Sequence, residues 1–109
     1  MNAVLTLHRI TSSDLFEYED ISTYTFSLIL DAICGSCLSF SKKNLLSKEF
    51  SWFLTFDDGF SSDYEIVLPL LKDKEIDAIF FIVPSFIGKP NYLTWKQVKC
   101  LSDNGMEIG

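Results

Sequence analysis

Asp57 and Asp58 are adjacent carboxylates placed where the apolar run 52–56 gives way to Gly59. Burying that run would leave both acids at the end of a strand, where a charge needs water or a ligand. Two neighbouring carboxylates can divide labour, one holding a cation while the other takes a proton from water. The same tripeptide also makes an ordinary soluble turn, because Asp and Gly both favour turn backbone. The acids alone leave the two readings open. His8, the single histidine, follows the short apolar segment 3–7. A lone His at a strand end is expected to be a hydrogen-bonding structural group rather than a ligand. Cys34 and Cys37 have the spacing of a redox or half-zinc motif, but they fall at the end of a predicted helix and no second pair completes a site. With Cys100 they make an odd number, which fits structural thiols in a reducing compartment rather than disulfides.

The elements that must position these residues follow from pattern. Residues 3–7 are short, apolar and strand-like, and the acid-rich stretch 14–20 reads as a surface loop. From Thr23, the spacing of Phe26, Ile29, Leu30 and Ile33 predicts a helix closing near Gly35. Residues 51–56 form a β-rich strand that runs into Asp57. Ser61-Ser62-Asp63 then offers an N-cap and a first-turn acid for a helix through Lys72, which Pro69 should kink. The continuous apolar run 78–83 predicts a central strand covered on both faces, with Phe80 and Phe81 in the core. Thr94 and Gln97 fit a capping box, Trp95 is expected to pack inward, and Gly105 stops that helix before a last strand at 106–109. The order β-α-β-α-β-α-β predicts an α/β fold with a parallel sheet, whose sites form beyond the carboxyl ends of the strands. His8, Asp57, Asp58 and Phe86 would share that edge.

Composition narrows the partners. Nine basic residues against fifteen acidic ones give a net charge of −6. No basic face is available for phosphates, so neither nucleic acid nor an anionic membrane surface is an expected partner. No apolar run approaches the roughly 20 residues of a membrane span, and no secretory leader is visible, so a cytoplasmic location is the expectation. A chain of this length can bury about 60 to 70% of its unfolded surface, enough for one domain.

The heptad Leu54-Thr55-Phe56-Asp57-Asp58-Gly59-Phe60 resembles the first signature of the polysaccharide deacetylases, the NodB-type carbohydrate esterases. Leu68-Pro69-Leu70-Leu71-Lys72 and the run from Asp77 to Pro84 are similar to that family's next helix and strand. Leu93 to Val98 and Gly105 to Gly109 resemble the approach to its second signature, and Leu5 to Ile10 resembles its opening strand, with Leu7 in place of the Tyr of a Tyr-His-Arg opening. The resemblance implies the N-terminal half of a deformed (β/α) barrel. It implies a hydrolase that removes N- or O-acetyl groups from a carbohydrate with a divalent metal, Zn²⁺ or a similar ion. Asp57 would be the catalytic base and Asp58 the metal-binding acid. The family's His-x-x-x-His motif follows a segment like Glu107-Ile108-Gly109, so residues 1–109 are expected to be one partial domain, truncated before that motif and inactive alone. In the loop at the functional edge, Phe86 and Tyr92 are the candidate sugar contacts. Two rival readings stand beside this one: a non-catalytic fragment or pseudoenzyme that binds a glycan or a partner, and a Mg²⁺-dependent phosphoryl-transfer domain with its acids at strand ends. An unpaired sheet edge would favour self-association.

Overall fold

The computed structural model describes residues 2–12, 20–33 and 51–109. Its main sheet has four strands in the order β1-β4-β5-β6, all parallel. They are β1 (Asn2–Leu7), β4 (Ser51–Phe56), β5 (Ile79–Phe80) and β6 (Glu107–Ile108). Between β1 and β4 lie β2 (Ile10–Thr11) and β3 (Ile21–Ser22), which pair with each other, and α1 (Thr23–Ile33). Helix α2 (Leu68–Asp73) joins β4 to β5, and α3 (Trp95–Asp103) joins β5 to β6.

The parallel α/β architecture agrees with the sequence pattern, and α1 forms where its spacing placed it, burying Phe26, Leu30 and Ile33. The expected closure near Gly35, the pair Cys34 and Cys37, and most of the acidic loop lie outside the described residues. Strands β2 and β3 were not expected. Two residues each are too few for alternation to register.

The doubly covered strand is β4 rather than the 78–83 run. Residues 53–56 are buried in succession, so both faces of β4 are covered. Phe56 lies at the centre, edge-on to Phe26 at 5.7 Å between ring centroids and stacked on Phe80 at 5.0 Å. In the 78–83 run only Ile79 and Phe80 pair as strand. Phe80 is buried, but Phe81 is 44% exposed, because successive residues point to opposite faces. Trp95 is likewise exposed, at 60%, as the first residue of α3, while Val98 and Leu101 supply that helix's buried stripe.

The helix after β4 departs from expectation at its start. Ser62 makes no capping bond; its Oγ instead accepts a hydrogen bond from Ile10 N at 3.3 Å. The first turn, Asp63–Val67, is π-helical, with Leu68 N donating to Asp63 O. Pro69 sits in the first turn of α2, where its missing N–H is tolerated and the preceding wide turn accommodates its ring. The capping box of α3 forms as expected: Thr94 Oγ1 accepts from Gln97 N at 3.2 Å, and Gln97 Oε1 accepts from Thr94 N at 3.0 Å.

Candidate active site

The site is built where the β1·β4 ladder ends. Register pairs Leu7 with Phe56, so the residues that follow each, His8 and Asp57, emerge side by side at the carboxyl edge. The main chain continues the ladder by one bond, Asp57 N donating to Leu7 O at 2.8 Å. The side chains meet as a result: His8 Nε2 is 3.7 Å from Asp57 Oδ2, with 26% and 37% of the two side chains exposed. This pair is an ion pair when the imidazole is protonated. The sequence reading treated His8 as structural; the ladder register is the signal that places it beside the acid.

Asp58 and Gly59 turn the chain away with φ of 78° and 71°. Left-handed backbone is ordinary for Gly and tolerated by Asp, whose short polar side chain bonds locally. A miniature antiparallel ladder holds the turn in place. Leu93 N donates to Gly59 O at 2.9 Å, and Ser61 N donates to Asn91 O at 2.8 Å, around the bridged pair Phe60 and Tyr92. These bonds flank the pair rather than joining it, the geometry in which opposed side chains approach most closely. The two rings accordingly stack at 5.1 Å and 21°. Phe86 packs on Tyr92 at 4.8 Å, and Lys89 Nζ lies 6.0 Å from the Phe86 centroid. The two candidate sugar contacts, Phe86 and Tyr92, are thus brought together and tied to the Asp57-Asp58 turn through Phe60.

A further acid enters the site from an unexpected side. Asp63, read from the sequence only as a first-turn acid of the helix, is fully buried. Among the described residues, neither of its carboxyl oxygens has a hydrogen-bond partner. Burial holds this acid well above its ordinary value of 3.8, and the like charges of Asp58 and then Asp57 push it the same way.

Carboxylate oxygens such as those of Asp58 suit a hard divalent cation, and Asp63, whose ionisation the like charge of Asp58 opposes, is an unpartnered acid that a cation there would ease. Among the described residues, no three potential ligands converge. Asp58 could therefore hold a cation only with water or other groups completing its shell. No helix among the described residues is long and apolar enough to cross a membrane.

Comparison with known proteins converges on one description. The family model for polysaccharide deacetylase matches residues 46–109. A 55-residue segment is 34% identical to the polysaccharide deacetylase-family protein YxkH of Bacillus subtilis (strain 168), covering 50% of this chain and 20% of that protein. Among solved structures, IcaB from Ammonifex degensii superposes with a TM-score of 0.86 at 24% identity, over 99% of this chain and 51% of that one. A de-N-acetylase from Aggregatibacter actinomycetemcomitans gives 0.78 at 21% identity, over 99% and 53%. The Streptococcus pyogenes deacetylase PplD, solved in complex with acetate, gives 0.76 at 23% identity, over 96% and 53%. The fold is that of the NodB-type deacetylases, and the chain spans about half the length of these solved structures.

Proposed function

The chain belongs to the polysaccharide deacetylase family, and on that footing we propose that it supplies the first part of the site of a metal-dependent deacetylase acting on N- or O-acetyl groups of a glycan. The observation that carries this reading is the placement of Asp57 and Asp58 on a rigid turn at the carboxyl edge of the parallel sheet, with His8 beside Asp57.

In this reading Asp58 anchors the divalent cation, Zn²⁺ or a similar ion. A cation held there would supply Lewis acidity to the acetyl carbonyl and to the attacking water. Asp57 takes the proton from that water, and His8, within reach of the same carboxylate, keeps it oriented and pairs with it when protonated. Hydrolysis releases acetate and leaves the sugar amine or hydroxyl. Phe86 and Tyr92 would border the substrate sugar through the parts of their rings not engaged with each other and with Phe60. Among the described residues too few ligands converge to hold the cation, so in this reading other groups of the domain complete the site.

The test is acetate release from N-acetylated and O-acetylated glycan oligomers by the full domain and by the 109-residue chain, before and after chelation. Release by the full domain that chelation abolishes supports the reading. Glycan binding without acetate release would favour the non-catalytic alternative.

A further inference from the structure

Asp63 is the acid that the strand-end chemistry leaves unused. Its main chain is fixed on both sides: its N donates to Phe60 O at 3.0 Å, and its O accepts from Leu68 N across the π-helical turn. The side chain therefore has little freedom to seek water. It is 0% exposed, and among the described residues neither carboxyl oxygen has a donor. Sealing a carboxyl group away without partners is costly, and a protein core gains nothing from it that a Leu or Asn could not supply. Such a group calls for an explanation, and a role in holding an ion is one. Asp58 and Asp57 carry charge of its own sign and oppose its ionisation, so a cation held at Asp58 would ease that opposition.

We propose that Asp63, buried five residues after Asp58 in the same turn-to-helix segment, is a positioning residue of the cation site at Asp58, supplying a negative charge that a bound divalent cation satisfies. The inference rests on the reading of Asp58 as the cation-holding acid, and it assigns Asp63 no contact with substrate. It makes two demands of opposite sign. Without metal, Asp63 is a liability, so neutralising it should stabilise the fold. With metal, it is an asset, so neutralising it should weaken binding.

The experiment is calorimetric titration of Zn²⁺ into the full chain and its Asp63→Asn and Asp58→Asn variants at pH 8, with thermal melts of each metal-free protein. Asp63→Asn is expected to raise the metal-free melting temperature and to weaken Zn²⁺ binding about tenfold, the low end of what supporting residues around metal sites contribute. Unchanged affinity, or a metal-free protein that melts lower or does not fold, would overturn the proposal. The Asp58→Asn arm separates the two readings. If Asp58→Asn leaves Zn²⁺ binding intact, Asp58 is not the anchor and the reading beneath the proposal fails. If it abolishes binding while Asp63→Asn does not alter it, only the role of Asp63 fails.

Discussion

His8 Nε2 and Asp57 Oδ2 lie 3.7 Å apart because Leu7 and Phe56, the residues before them, close the β1·β4 ladder as a matched pair. A shift of one residue in that register would turn every side chain of β1 to the opposite face and part the histidine from the acid. The geometry of the site is therefore a property of the strand pairing as much as of the two residues.

Asp57→Asn and Asp58→Asn should separate in the full domain. The first removes a base and should cut turnover by about 10²- to 10⁴-fold while metal content stays near normal. The second removes a ligand and should lower both. Acetate release and elemental analysis of the purified variants check this, and equal metal loss in both would refute the division of roles.

Stability of the metal-free chain should fall with rising pH through the contribution of Asp63. Its folded value is raised well above 3.8, by burial first and by Asp58 and Asp57 second. Between the unfolded and folded values the native state binds the extra proton, so each rise in pH favours unfolding. The contribution is fully present below about 3.8 and is lost as pH climbs through the folded value. Urea midpoints of the wild type and Asp63→Asn across pH should converge at the acidic end and diverge above it.

The sequence exposed the parallel α/β order, the helix over Thr23–Ile33 and the Thr94–Gln97 capping box, because each rests on local spacing or on one pair of side chains. It also placed Asp57 and Asp58 at the strand edge. It could not show that Asp63 turns inward, since nothing in the identity of a first-turn acid says which way its helix is rolled. Phe81 and Trp95 misled for a related reason: hydrophobicity reports a preference for burial, while their exposure depends on which face a neighbour covers.

Phe60 and Tyr92 should be energetically coupled. Their stacking is worth about 0.5–1.5 kcal/mol beyond burial. A double-mutant cycle of Phe60→Ala and Tyr92→Ala, read by urea unfolding, should return a coupling in that range. Additive losses would show that the rings merely share a neighbourhood.

Phe56→Ala should be the severest of these substitutions for folding. The ring is fully buried between Phe26 and Phe80, and deleting it should cost about 3–5 kcal/mol through lost transfer and a residual cavity. Denaturant unfolding measures this directly, and a loss under about 1 kcal/mol would mean that the core collapses around the gap.

The left-handed backbone at Asp58 restricts what heredity can do with the site. At a φ of 78°, Gly, Asn and Asp are the comfortable occupants, whatever chemistry is or is not performed there. A lineage that abandoned catalysis could retain Asp58-Gly59 for as long as the turn had to be made, because Ala or Val would strain the chain at that point. Persistence of that pair among descendants thus testifies first to the bend. Loss of Asp57 or His8, whose positions carry no such backbone demand, is the more telling mark of a protein that has given the reaction up.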